Sequence, residues 1–263
     1  MRIAPGLMAL VASALTGTAR AQVRTDMPFR SSLALGGSYV AGNVGQASIH
    51  ADARLSHSAE SLGYDVLASA FRLWVRPAPG RDLVRAGDTL AVTALPFWYF
   101  SEHWFVLGTG RFEHSRIRGL EGRTNGGAGI GYAPIRREDR LLRGALGAQW
   151  ERTRFISSDL SPAWAGDEAK RRVARAGLQS NGWLRVEESG FSLQYVGGLF
   201  VNPLDPRDFR GFLDGSVSVD LVQQLSLQVG GSLLHDTVVP TGIQPTDLRV
   251  TMGLSWARPS PSG

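Results

Sequence analysis

Apolar and polar residues alternate with a period of two along most of this chain. The second strand shows it best: Ile49, Ala51, Ala53 and Leu55 fall on one face, with Ser48, His50, Asp52, Arg54 and Ser56 on the other. The same pattern closes the chain, where Leu248, Val250, Met252, Leu254 and Trp256 alternate with Asp247, Arg249, Thr251, Gly253 and Ser255. Between these lie further examples. Leu142, Leu146, Ala148 and Trp150 oppose Arg143, Gln149 and Glu151; Leu213, Val217, Val219 and Leu221 oppose Asp214, Ser216, Ser218 and Asp220. Segments of roughly ten residues are long enough for a tilted strand to cross a bilayer.

The periodicity predicts twelve strands, at about 31–42, 46–58, 62–75, 83–100, 103–116, 123–134, 140–155, 171–188, 190–201, 209–222, 225–236 and 247–257. Joints after the second, fourth, eighth and tenth strands are tight, as at Ser101-Glu102-His103 and Glu188-Ser189-Gly190. The joints between them run longer and carry Pro, Gly and Asp, as at 156–170, 202–208 and 237–246. Short turns on one side and longer loops on the other are the asymmetry of an outer-membrane barrel. Two joints depart from it: Gly42-Asn43-Val44-Gly45 is short for an outer loop, and 135–139 is long for an inner turn.

Aromatic rings gather at the predicted strand ends: Phe97, Trp98, Tyr99, Phe100, Trp104, Phe105, Tyr132 and Trp256. Rings at that level suit an interfacial girdle, where an amphipathic side chain lies between lipid and water. Trp98, Tyr99, Trp104, Tyr132 and Trp256 are the expected girdle. A soluble β-sandwich would tolerate strand-interior glycine poorly, and 32 Gly are present. The predicted fold class is all-β, a transmembrane antiparallel β-barrel of about twelve strands.

The amino terminus adds a destination. Met1-Arg2 precedes a largely apolar stretch to Leu15, and Ala19-Arg20-Ala21 offers a small-x-small cleavage pattern. The expectation is a signal peptide over 1–21, cleaved so that the mature barrel covers 22–263, in the cell outer membrane with both termini in the periplasm. After the first twenty residues no run of eighteen apolar residues occurs, so crossing by helices is excluded.

Composition narrows the function classes. Hydrophobic residues make up 43% and charged residues 19%, which excludes long disorder, and the absence of Cys excludes disulfides and thiolate metal sites. The formal net charge of +5 falls by two if Arg2 and Arg20 leave with the signal. The remaining cations are dispersed, densest at Lys170, Arg171, Arg172 and Arg175 beside Asp167 and Glu168, so no nucleic-acid partner is expected.

Candidate chemistry is sparse. Gly126 to Gly131 lies within a strand and leads to Tyr132, where a nucleotide fingerprint would sit on a turn opening a helix; small residues that let the wall bend or a neighbour approach account for it. His50, His57, His103, His114 and His235 form no pair at ligand spacing, so no metal and no cofactor are expected. Ser48 and His50 share one face and raise the question of a phospholipase-like, lipid-modifying enzyme. Such an enzyme needs its nucleophile at the lipid side and a third, orienting group, whereas these two point to the lumen.

A family resemblance runs through nearly the whole mature chain. Leu35-Gly36-Gly37 through Gly42-Asn43-Val44, the stretch from Trp98-Tyr99-Phe100 to Arg111-Phe112-Glu113, Gly119-Leu120, Arg123 and Gly127-x-Gly129-x-Gly131-Tyr132 carry its first part. Leu225-Ser226-Leu227, Asp236, Pro240, Gly242, Asp247 and Leu254 carry the end. Together they resemble the YdiY-like salt-induced outer-membrane proteins, a family of unknown function. Ser115 departs from it, standing where an Asp is common, and seven residues follow Trp256 where such barrels usually end on the aromatic residue. The resemblance implies a fold and a location, and a link to salt or osmotic stress through the family's name alone.

The inward charges define the candidate site. By alternation Asp52, Arg54, Arg111, Glu113, Arg143, Glu151, Arg175, Arg185, Glu187, Asp214, Asp220 and Arg249 face the lumen. Ions drawn into a narrow lumen should pair, since an unpaired buried charge costs several kcal/mol. Two readings follow: a salt-bridge network that stiffens or plugs the barrel, or a narrow mixed-charge channel. Twelve strands fall between the filled eight-stranded barrel and the open sixteen-stranded pore. The expected protein is non-enzymatic, a narrow passage for small polar solutes or a structural envelope barrel. Outer-membrane lipid and, during biogenesis, the barrel-assembly machinery are its expected partners. A lipid-modifying enzyme, or a surface receptor or adhesin using 156–170, is the alternative.

Overall fold

Period-two segments with one apolar face must bury or solvate that face, and a sheet closed on itself also leaves no unpaired edge. A computed structural model describes residues 27–40, 46–59, 61–76, 81–137, 139–156, 170–222, 225–240 and 243–258. The strands are β1 (Met27–Val40), β2 (Gln46–Ser58), β3 (Leu62–Val75), β4 (Val84–Tyr99), β5 (Trp104–Ser115), β6 (Leu120–Arg136), β7 (Arg140–Phe155), β8 (Lys170–Val186), β9 (Phe191–Asn202), β10 (Asp205–Val222), β11 (Leu225–Asp236) and β12 (Thr246–Arg258). Each pairs antiparallel with its sequence neighbours, and β1 pairs β12 with Leu33 opposite Trp256 and Gly36 opposite Gly253. The result is one closed twelve-stranded barrel.

The short joints after β2, β4, β8 and β10 lie at one end with the start of β1 and the end of β12, here the turn end; the opposite end is the loop end. The expected signal peptide, the 42–45 joint, nearly all of 156–170 and the last five residues lie outside the described residues.

Three strands start several residues earlier than the alternation predicts, and β1 does so at Met27, with a ladder irregularity between Met27 and Arg30. β6 begins at Leu120 and β10 at Asp205, because ladder irregularities between Leu120 and Gly122 and between Asp205 and Phe209 break the period there. The 202–208 joint therefore shrinks to a turn at Pro203–Leu204, where the Leu204 N–H donates to Asn202 Oδ1 at 3.0 Å. Residues 116–118 form a single 3₁₀ turn, closed by Gly119 at φ 63°, a left-handed conformation that suits glycine.

Burial runs opposite to that of a water-soluble protein. Leu146, Leu248, Val250 and Met252 are 62–71% exposed on the outside, while Arg175, Glu113, Glu151 and Asp236 are 1–2% exposed on the inside. A wall with apolar side chains outward and ions inward is stable only where lipid covers the outside. Four of the expected girdle residues, Trp98, Trp104, Tyr132 and Trp256, lie on outward positions at the turn end, with the Trp104 and Tyr132 rings 5.1 Å apart. Phe112 lies eight residues past Trp104 on β5, about 27 Å along a strand of ~3.4 Å rise. At the ~40° tilt usual for such walls the band is about 20 Å tall, close to a hydrocarbon core.

Tyr99 corrects the girdle expectation. It is 4% exposed and points inward with Leu95, Phe97, Phe105, Leu107, Ala133, Ala145 and Val196, forming the apolar core inside the turn end. Four consecutive aromatic residues, 97–100, must alternate faces on a strand, so Phe97 and Tyr99 share the lumen while Trp98 faces out. Phe105 also faces in. The glycines of β6 make room for it: a Cβ on Gly131 would collide with the Phe105 ring.

Candidate functional site: a lumen divided in two

Inward side chains of β5–β8 and β10–β11 build a closed ionic cluster at the loop end. Arg210 stands at its centre, with Nη2 2.5 Å from Glu113 Oε2 and Nη1 3.2 Å from Glu151 Oε2. Arg118 donates to Glu113 Oε1 at 3.0 Å and lies 3.6 Å from Asp236. Arg123 Nη2 is 2.7 Å from Asp236 Oδ2, and its Nε donates to Thr153 Oγ1 at 2.9 Å. Arg175 holds Asp208 through both the carboxylate, at 2.8 Å, and the backbone carbonyl, at 3.0 Å. Arg171 also clamps Asp208. Four carboxylates thus face five guanidinium groups, four of them buried and Arg171 partly exposed, and each carboxylate touches at least two cations. Such mutual satisfaction is what a buried ionic network requires to be stable.

A second set spans the lumen near the turn end. Asp65 on β3 accepts from Arg143 on β7 at 2.5 Å, from Asn181 on β8 at 3.3 Å and from Arg54 on β2 at 3.4 Å. Arg54 also donates to Gln194 on β9 at 2.5 Å, and Gln194 donates to Ser216 at 2.9 Å. The Arg143 guanidinium lies 3.9 Å over the Phe97 ring, and Arg136 3.8 Å over Tyr99, so cation–π contacts tie this strap to the apolar core.

Beside these the lumen holds a cavity of about 180 Å³ along the β1–β5 and β9–β12 walls. That is well above the ~10–15 Å³ one water needs. Asp52, Arg54, Arg111, Asp214 and Arg249 line it with His50, Gln228, Ser232 and Thr251. Arg54 is held by the strap, and Glu113 and Arg118 of the cluster close one side of the cavity, but its other charges are held loosely: Arg111 lies 3.9 Å from Asp214, and the Arg249 guanidinium 4.3 Å over the Phe71 ring.

The twelve expected lumen residues therefore divide by location. Glu113, Glu151 and Arg175 belong to the cluster, Arg143 to the strap, and Asp52, Arg54, Arg111, Asp214 and Arg249 line the cavity. Arg185 and Asp220 form an exposed ion pair, 3.4 Å apart, at the turn-end mouth. Glu187 falls in the 3₁₀ turn Glu187–Ser189 after β8, so it is not a strand residue. Ser48 and His50 both face the lumen, two residues apart on β2, away from lipid. Among the described residues no group of His, Asp and Glu could hold a metal.

Seven charged participants are absent from the expected lumen set: Asp65, Arg118, Arg123, Arg171, Asp208, Arg210 and Asp236. Arg123, Arg210 and Asp236 keep the alternation of their strands and were within its reach. Asp65 shares its face with Leu67 and Phe71, which blurs the polar side of β3. Arg118 sits on a 3₁₀ turn and Asp208 in an irregular stretch, where no period operates.

The family described as "Protein of unknown function, DUF481" matches residues 33–257. Curated proteins yield no match. Among solved structures, the NanC porin is 11% identical, with a TM-score of 0.46, covering 86% of this chain and 98% of that one. The COG4313 outer membrane channel from Pseudomonas putida F1 is 13% identical, with a TM-score of 0.44, covering 92% and 99%. The translocator domain of the autotransporter NalP from Neisseria meningitidis is 11% identical, with a TM-score of 0.44, covering 95% of each chain.

Proposed function

The chain belongs to this family of unknown function, DUF481, and we propose that it serves the outer membrane as a non-enzymatic barrel with a narrow, off-axis passage for small polar solutes. One observation carries the reading: a cavity lined by loosely held charges of both signs lies beside a sector that is sealed by ion pairs. A purely structural barrel gains nothing from leaving Asp52, Asp214, Arg111 and Arg249 around open space, since ions excluded from water are stable only when paired. Mixed signs at short spacing favour hydrated polar solutes of low net charge over strongly charged ions. The sealed sector would keep the opening small and fix the wall against which the solute moves.

The test is conductance of the detergent-purified barrel in a planar bilayer, after heat-modifiable gel mobility has verified folding. Discrete small steps are expected, whereas silence from a verified barrel overturns the passage and leaves a structural role. Orientation is tested separately by whole-cell labelling. Cysteine at Leu204, 95% exposed at the loop end, should label, and cysteine at Glu102 in the turn-end joint should not.

A further inference from the structure

The outer face of β7 and β8 carries a ladder of four cations, of which only Arg154 has a carboxylate partner among the described residues. Arg152 lies directly opposite Arg172, and Arg154 directly opposite Lys170, all four side chains pointing outward and exposed. Directly opposed residues on one sheet face have Cβ atoms about 5 Å apart, and like charges placed so destabilise the pair. Among the described residues, nearby anions supply little relief. Glu121 on β6 pairs with Arg154 at 3.2 Å, and Asp208 turns inward to Arg171 and Arg175. Among the described residues no carboxylate pairs with Arg152, Arg172 or Lys170.

The level of the ladder says what would pair with them. Trp150 precedes Arg152 on the same outward row, and Ala174, opposite Trp150, precedes Arg172 in the same direction. Below them the row is apolar, with Leu146, Ala148, Ala176 and Leu178. An exposed indole marks the interface between hydrocarbon and headgroups. The cations stand one outward step beyond it, about 7 Å along the strand, where lipid phosphates lie. Two Arg forks facing one another across a strand pair suit the oxygens of one phosphate.

We propose that Arg152, Arg172, Arg154 and Lys170 form a binding site on the lipid-facing wall for the phosphate of a lipid headgroup in the loop-end leaflet. The anion would bridge the Arg152–Arg172 rung and remove the repulsion built into the register. Acyl chains would lie down the smooth face made by Ala148, Ala174 and Ala176. This site is independent of whether the lumen conducts.

Native mass spectrometry of the detergent-folded barrel with bisphosphorylated lipid A as the probe tests it. The protein should retain the lipid, and lipid A stripped of its phosphates should be released. Arg152→Gln with Arg172→Gln should weaken retention about 25-fold, at about fivefold per cation near a membrane surface. Arg152→Lys with Arg172→Lys, which keeps the charge, should lose much less, and single-channel conductance should stay unchanged in both. Equal retention of the dephosphorylated lipid, an unaltered affinity in the double Gln variant, or full competition by inorganic phosphate at the lipid's own concentration would each overturn the proposal.

Discussion

The sealed and open sectors of this lumen are made of the same residue types on the same alternation, yet they hold their charges in opposite ways. Around Arg210 the carboxylates of Glu113 and Glu151 lie within 3.2 Å of guanidinium nitrogens, and all three residues are 2–3% exposed. Around the cavity, Arg111 and Asp214 stand 3.9 Å apart with side-chain exposures of 13% and 36%. What separates the two is supply. The loop end draws a further cation from a turn, Arg118, and a fourth anion from the folded-over stretch at Asp208, so every carboxylate finds at least two cations. The β1–β4 and β10–β12 walls present Ser, Gly, Ala and Thr between their ions, which leaves volume where partners would be. Charge density relative to side-chain bulk, and not charge alone, decides whether a barrel interior closes.

That contrast is most severely tested by removing one cation from each sector. Arg210→Met removes the cation that Glu113 and Glu151 share, in a site closed to water, and should cost about 3–5 kcal/mol. Arg111→Met removes a partly solvated ion and should cost about 1 kcal/mol or less. Urea unfolding from lipid bilayers measures both, and equal losses would erase the distinction between sectors. The aromatic quartet at the end of β4 offers a second contrast. Tyr99→Ala empties a core site and should cost about 3 kcal/mol or more, whereas Trp98→Ala trims the lipid face for about 1 kcal/mol in the same assay.

Two smaller effects sharpen the role of the open sector. Ser232→Trp fills the cavity from the β11 wall. It should lower single-channel conductance several-fold while the unfolding midpoint moves little. Arg111→Glu reverses one sign at the cavity wall beside Asp214 and should shift the reversal potential toward cation preference by about two- to threefold. A conductance indifferent to both substitutions would place any current outside this cavity.

Much of the architecture was legible beforehand because alternation is a local property. A strand exposes successive side chains to opposite faces whatever it pairs with, so twelve period-two segments named the strands and sorted Asp52, Arg111, Glu151 and Arg249 to the lumen. The reading failed where the period fails. The irregularities near Met27, Leu120 and Asp205 hid the starts of three strands, and the 3₁₀ turn at Arg116–Arg118 hid a cation that folds inward. Tyr99 was misassigned for a different reason: aromatic residues in a row at a strand end look like one girdle until alternation divides them.

The sequence by itself determined the barrel class, the number of strands and, for most charged residues, the face they occupy, since each depends on neighbours two positions away. Only the tertiary structure decided who meets whom. Asp65 and Arg143 are 78 residues apart, and Arg210 and Glu113 97 apart. Their contact depends on closure between β1 and β12 and on the stagger of every strand around the ring. Those properties belong to the whole sheet. No segment encodes them, and so the division into a sealed and an open sector emerges only once the wall is closed.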